Sequence, residues 1–527
     1  MKARAVMVLG TSSHVGKSLL TAALCRIFAE EGYRVAPFKS QNMSLNSAVT
    51  PDGLEIGRAQ ALQAEASGIL PSVHMNPILL KPSGNMSSQI VVRGKIWGTL
   101  TASDYHLRRV EELLPVVRES YETLAAENDV IVLEGAGSPA EINLKEHDIV
   151  NMRMAELADA ACLLVGDIDR GGVFASLLGT VALLDPHEQG RIRGFLINKF
   201  RGDVQLLEPG IRMIEDRLGK PCLGVVPYLS HLTIDEEDSL GLPTLAPNHD
   251  ASWPLSGDAA RPLRIAVIAL PSFSNFTDFD ALRAEPSVSL HFCHSAAQLA
   301  YADVVIVPGS KQTASDLEWM RVEGLAPALL AHSRRGIVAG ICGGMQMLGH
   351  AILDPHQMEH ARATPGLGLL AIQTTMQSQK TTRLSSGYLA ATTLFGKKMS
   401  VLPVSGYEIH LGETTYLEGS APFAELASDV TSERTLDGCI SEDGRIIGTY
   451  LHGVFDNDGF RHSFLACARA FYHLAPAIEF ERWKQKREAS LDRLADTVRA
   501  SVDLPQLFAW VGLDYEVKPH GSEAPKL

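Results

Sequence analysis

A short apolar run, Ala5-Val6-Met7-Val8-Leu9, leads directly into Gly10-Thr11-Ser12-Ser13-His14-Val15-Gly16-Lys17-Ser18, and an apolar helical pattern follows at once. That order leaves few options. A strand ending in a glycine loop that opens a helix presents backbone N–H groups and a helix N-terminus to one point, a ready site for phosphate oxygens. Lys17 is then expected to reach the β/γ-phosphates and the Ser18 hydroxyl to ligate Mg2+. Gly10, Thr11 and Gly16 complete the expected ATP-binding loop. Five residues separate Gly10 from Gly16, one more than in the common phosphate loop.

Leu19, Leu20, Ala23, Leu24, Ile27 and Phe28 recur at helical spacing, and Gly32 stands where the helix should stop. Strand patterns at 4–9, 34–38, 130–133, 161–166, 194–198 and 222–226 alternate with helical ones, so an α/β domain with a mostly parallel sheet is expected over 1–240. The stretch 40–110 is less regular and reads as substrate-facing loops and short helices. A phosphate loop needs a second carboxylate near its metal. Glu134, at the end of the apolar run 130–133, is the candidate. Asp167 and Asp169 follow another strand, and Asn198-Lys199 ends the next, where Asn198 is expected to touch the nucleotide base.

Residues 241–263 are rich in Pro, Gly, Ser and Asp without periodicity and read as a linker. A second alternating pattern follows, with strands expected at 264–270, 288–293, 302–307, 337–341 and 446–451. This second α/β domain is placed at 264–475, ahead of a helical C-terminal extension and tail at 476–527. It contains Gly340-Ile341-Cys342-Gly343-Gly344-Met345-Gln346 at a strand-to-helix turn. Such an elbow exposes a cysteine nucleophile at a helix N-terminus, and the Gly343 N–H is suited to an oxyanion. Gly309, in Pro308-Gly309-Ser310-Lys311, marks a second oxyanion loop. His452, 110 residues beyond Cys342, ends a strand and is the expected base.

Composition narrows the partners. The 47 Lys and Arg against 61 Asp and Glu give a formal charge of −14, so the chain lacks the basic footprint of a nucleic-acid or anionic-membrane binder. Seven scattered cysteines without a C-x-x-C pair argue against a disulfide framework and for a reducing compartment. Nothing at the N-terminus reads as a signal peptide, and no apolar run is long enough to span a bilayer. A cytoplasmic protein acting on small molecules is expected, with its oligomeric state left open.

The long glycine loop resembles the dethiobiotin synthetase-like branch of phosphate-loop proteins, in which ATP phosphorylates a carboxylate for attack by nitrogen. His14 stands where that branch often has glycine. Cys342 and His452 resemble the class I glutamine amidotransferases, whose cysteine releases ammonia from glutamine. Most of that class carry glutamate two residues after the histidine, and Val454 is there instead. His452 is left to be oriented by Asp456 or to act in a dyad.

Joined on one chain, the two halves resemble the cobyric acid synthase family over roughly residues 4–510. Lys39-Ser40-Gln41-Asn42-Met43-Ser44, Gly406-Tyr407-Glu408-Ile409-His410 and Tyr450-Leu451-His452-Gly453-Val454-Phe455 add to the likeness. The resemblance implies ATP- and glutamine-dependent amidation of the b, d, e and g carboxylates of adenosylcobyrinic acid a,c-diamide, a corrinoid polycarboxylate, in cobalamin biosynthesis. The cobyrinic acid a,c-diamide synthases share both chemistries on other corrin carboxylates. A partition-type ATPase switch with a degenerate glutaminase scaffold is the reading from another class. Retention of both Cys342 and His452 speaks against it.

Overall fold

The computed structural model describes residues 3–516, apart from 84–86, 102, 106–108, 231, 235–252, 254–257, 360–362 and 429–433. Most of the expected linker and the tail beyond 516 therefore lie outside the described residues. Six parallel strands form the first sheet, in the order Cys222–Pro227, Ile192–Phe200, Ala161–Asp167, Arg4–Gly10, Val130–Glu134, Val35–Phe38. Their side chains are buried on both faces, as a sheet covered by helices on each side requires. The helix Lys17–Glu30 covers one face with Leu20, Leu24, Ile27 and Phe28.

The C-terminal helices cover that same face. Leu491, Leu494 and Val498 of Trp483–Ser501, with Leu507 and Phe508 of Leu504–Trp510, share a core with Val6, Val8 and Phe28. The Phe508 ring stacks on Phe28 with centroids 4.3 Å apart. Separated from the first strand by nearly the whole chain, the extension closes the first domain's core rather than standing as a unit of its own.

The segment 40–110 departs from the loops and short helices expected of it. It holds a four-stranded sheet, Gln41–Met43, Ile78–Pro82, Ser87–Val92 and Lys95–Thr101, and the helix Arg58–Ala66. Its strands are short, and much of the last is exposed, which erases the alternation a reader would look for.

The second sheet runs Val288–Cys293, Leu263–Ile268, Val304–Val307, Ile337–Ile341, Ile446–Thr449, parallel throughout, with Cys439–Ile440 added antiparallel at the edge. Beside it lies an antiparallel sheet that the sequence does not announce, built on Ile372–Leu389 and Pro403–Tyr416. Among the described residues, no helix is long and apolar enough to cross a membrane.

Candidate active site

Glu134 ends its strand fully buried, and its carboxylate gathers three donors. Ser18 Oγ lies 2.9 Å and Lys39 Nζ 2.8 Å from Oε1, and Gln63 Nε2 lies 2.6 Å from Oε2. An ionised buried carboxylate demands such partners, because its desolvation costs several kcal/mol (about 3–5 if one partner is removed). The sequence places Ser18 and Glu134 by strand-end logic. Lys39 follows the strand Val35–Phe38 and Gln63 comes from the irregular segment 40–110, and nothing local marks either as a partner.

Above this carboxylate the loop is braced. Gly16 has φ +97°, a conformation that suits glycine, and Asn198 Nδ2 donates to Val15 O at 2.8 Å. Asn198 thus secures the loop backbone. Thr11 N–H is committed to Val165 O at 2.9 Å and continues the sheet, so that N–H is not offered to phosphate. Lys17 Nζ crosses the loop mouth to Ser12 O at 3.0 Å and Gly137 O at 3.2 Å, and phosphate oxygens would replace these carbonyls. His14 takes the left-handed φ of +62° that explains why glycine serves well there. Asp167 is paired with Lys199 at 2.9 Å and Asp169 with Arg201 at 2.9 Å, so both acids are spoken for.

The cradle fits a nucleoside triphosphate with its metal. Among the described residues no group of three or more His, Cys, Asp or Glu could hold a metal alone. Mg2+ rarely needs one, since phosphates and water supply most ligands beside one or two protein oxygens. Ser18 Oγ and Glu134 Oε1, 2.9 Å apart, have the spacing of adjacent ligands around bonds of about 2.1 Å.

In the second domain, Cys342 occupies φ +51°, ψ −110° between Ile337–Ile341 and the helix Gly343–Leu348. A non-glycine residue is held there only by its surroundings, and strain of this kind gathers at functional sites. Cys342 N–H donates to Thr449 O at 2.8 Å, and Sγ lies 3.6 Å from Ile409 O. Gly309 lies close by: a Cβ on it would be 3.3 Å from His452 Cε1. Gly343 lines the same cavity as Cys342.

His452 is fully buried and is oriented by Asp278. Its Nδ1 is 2.7 Å from Asp278 Oδ2, while Gly453 N–H donates to Oδ1 at 3.0 Å. Asp278 takes the orienting place expected of Asp456, which lies in the short turn Val454–Asp456 after His452, and it makes the cysteine and histidine part of a triad rather than a dyad. A carboxylate acceptor at Nδ1 fixes the tautomer, leaving Nε2 for chemistry. Burial works to lower the His452 pKa, but the charge and hydrogen bond of Asp278, joined by Cys342, raise it to about 10. The imidazole is thus held ready as a cation that can return a proton to a leaving nitrogen. Asn275 Nδ2 approaches Nε2 at 3.4 Å, and the Tyr407 ring stacks on the imidazole at 5.1 Å. Tyr407 stacks its ring on the base, and two residues further along the same strand the backbone carbonyl of Ile409 meets the nucleophile's Sγ. The stretch Ser274–Asp278 was missed in the sequence because an ordinary polar loop carries no spacing that ties it to a histidine far along the chain.

Two contacts join the domains beside this histidine. Ser47 N–H donates to Asn275 Oδ1 at 2.9 Å, and Phe276 N–H to Asn46 Oδ1 at 3.2 Å. Val49 packs with Tyr407 and Ile409.

Comparison with known proteins matches two stretches of the chain. Residues 6–241 match the CobQ/CobB/MinD/ParA nucleotide binding domain, and residues 264–460 match the CobB/CobQ-like glutamine amidotransferase domain. A cobyric acid synthase of Sorangium cellulosum is 49% identical over 527 residues, covering 98% of this chain and 100% of its own. One from Caldanaerobacter subterraneus is 47% identical over 510 residues, 95% of this chain and 97% of its own. A solved glutamine amidotransferase, 15% identical, aligns with 39% of this chain and 98% of its own at a TM-score of 0.28. With both domains matched and near-complete coverage at such identity, the chain belongs to the cobyric acid synthase family, glutamine amidotransferases that carry a nucleotide-binding domain.

Proposed function

We propose that the first domain uses ATP to phosphorylate side-chain carboxylates of a corrinoid and that the second supplies the nitrogen that displaces the phosphate. The substrate is adenosylcobyrinic acid a,c-diamide, amidated at b, d, e and g to give adenosylcobyric acid. Cys342 attacks the glutamine amide, forms the thioester and releases ammonia. His452, held by Asp278, moves the proton, and the N–H groups of Gly343 and Gly309 receive the oxyanion. Lys17 and the loop hold the triphosphate. Ser18 and Glu134 would hold Mg2+, which would supply charge neutralisation to the triphosphate. The acidic chain suits small-molecule substrates rather than nucleic acid, and seven free cysteines suit a reducing cytoplasm.

The observation that carries this reading is the joint between the sites. The segment 39–47 begins at Lys39 on Glu134 and ends at Ser47 on Asn275, beside His452. Two separate chemistries are thereby held in one body. The test is incubation of the full chain with ATP, Mg2+, the corrinoid and amide-labelled glutamine, with amidations counted by mass. Labelled nitrogen should enter the corrinoid in wild type. Cys342→Ser should incorporate nitrogen only from added ammonium. Absence of label from wild-type product would refute the proposal.

A further inference from the structure

Gly406-Tyr407, at the head of the stretch Gly406-Tyr407-Glu408-Ile409-His410, lies against the catalytic histidine along its whole length. Tyr407 N–H donates to His452 O at 3.2 Å, and His452 N–H donates back to Tyr407 O at 2.9 Å, an antiparallel bridge outside either main sheet. Gly406 permits that approach, because a Cβ there would collide with the His452 carbonyl oxygen. Residues paired directly across a bridge bring their side chains together on one face. Here the two rings stack, with centroids 5.1 Å apart and planes 16° from parallel. Both side chains are buried.

Asp278 fixes one edge of the imidazole by its hydrogen bond at Nδ1. A ring anchored at one nitrogen can still tilt about that bond, and a tilt carries Nε2 away from the thiol. A flat ring against its face resists the tilt, and the electron-rich face of tyrosine suits a charged imidazole. The tyrosine is held in turn from the first domain. The Arg58 guanidinium carbon lies 5.7 Å from the Tyr407 ring centroid, within reach of a cation–π contact. Arg58 directly follows a small hairpin in which Ser47–Val49 pairs with Glu55–Gly57, and its N–H donates to Asn46 O at 3.1 Å. That hairpin is anchored on the second domain at two points. Ser47 N–H donates to Asn275 Oδ1 at 2.9 Å. Glu55, which receives Lys81 Nζ at 2.6 Å, also receives Lys380 Nζ of the second domain at 2.5 Å.

We propose that Tyr407 is a positioning residue that keeps the imidazole of His452 aimed at Cys342, and that Arg58 of the first domain acts through Tyr407 as its brace. The assignment rests on the reading of His452 as the residue that moves the proton for Cys342. The base of the second domain is thus finished by a hairpin of the first, and glutamine hydrolysis at full rate belongs to the docked chain.

Ammonia release from glutamine by the full-length protein, resolved into kcat and KM, tests this, with thermal melts to monitor folding. Tyr407→Leu removes the flat face and should lower kcat roughly ten- to a hundredfold while KM stays within about twofold, the mark of a misaimed proton carrier rather than a lost binding contact. Tyr407→Phe keeps the face and should retain most of kcat. Arg58→Met should lower kcat by about three- to tenfold, and Arg58→Lys should recover part of that loss. Placed on Tyr407→Leu, Arg58→Met should cost nothing further, because its effect runs through the ring. Wild-type kcat in folded Tyr407→Leu would overturn the role of the tyrosine. An Arg58→Met loss that persists in full on the Tyr407→Leu background would overturn the brace. Should Tyr407→Leu fail to fold, Arg58→Met decides alone, and an unchanged kcat refutes the proposal. If wild type releases no ammonia from glutamine, the reading of Cys342 and His452 fails instead, and the two failures are told apart.

Discussion

Asp278 Oδ2 lies 2.7 Å from His452 Nδ1 although 174 residues separate the two in the chain. Both side chains are buried, so the pair is screened from solvent and held by packing rather than by sequence proximity. The carboxylate does for the imidazole what a glutamate near the histidine does in related enzymes, but from the opposite end of the domain.

Asp278→Asn should reduce glutamine-dependent turnover by roughly 10²- to 10⁴-fold, the range seen when a triad histidine loses its orienting carboxylate. Ammonium-dependent turnover should persist. Measuring initial rates with each nitrogen source checks this, and equal losses with both would point to misfolding.

The same pair sets a pH dependence of stability. The His452 pKa is raised from 6.5 to about 10 in the fold, so its stabilisation is fully present below about 6.5 and fades as pH rises through 10. The Tm gap between wild type and Asp278→Asn should therefore be wide near pH 6 and narrow near pH 10. Thermal melts across that range provide the measurement, and a gap that widens with pH would contradict the ion pair.

Glu134→Gln should weaken magnesium-dependent amidation while leaving ammonia release from glutamine intact. It should also destabilise the first domain by about 3–5 kcal/mol, because Lys39 keeps its buried charge and loses the carboxylate 2.8 Å away. Adding Lys39→Met to Glu134→Gln should return part of the lost Tm without returning activity. A magnesium titration and a melt on each variant separate the two effects.

Lys17→Ala should abolish amidation from glutamine and from ammonium alike. The fold should survive, since the Lys17 contacts to Ser12 O and Gly137 O are loop bonds rather than core packing. Circular dichroism with paired activity assays tests it, and retained turnover would remove the phosphate-loop assignment.

Phe508→Ala should cost about 3–5 kcal/mol and should impair ammonium-dependent amidation before it touches glutamine hydrolysis. The reason is location: Phe508 stacks on Phe28 of the phosphate-loop helix, far from the cysteine in the fold's other sheet. A Tm loss confined to the second domain would overturn this placement of the C-terminal helices.

What the sequence determined by itself is local. The phosphate loop, the cysteine elbow and the strand-end histidine are each written within about ten residues, because glycine turns, helix starts and buried parallel strands depend on neighbours along the chain. The residues that finish the sites obey a different constraint. Lys39 and Gln63 meet Glu134, Asp278 meets His452, and Glu55 meets Lys81 and Lys380 only through the packing of distant segments. Burial of a charge requires a partner but does not say from where in the chain it will come. The long strand Ile372–Leu389 stayed hidden for a related reason: it is mostly half-exposed and rich in Thr, Ser and Gln, so no apolar alternation marks it. Likewise the C-terminal helices show an apolar stripe in sequence, while only the tertiary structure decided that the uncovered face of the first sheet would receive it.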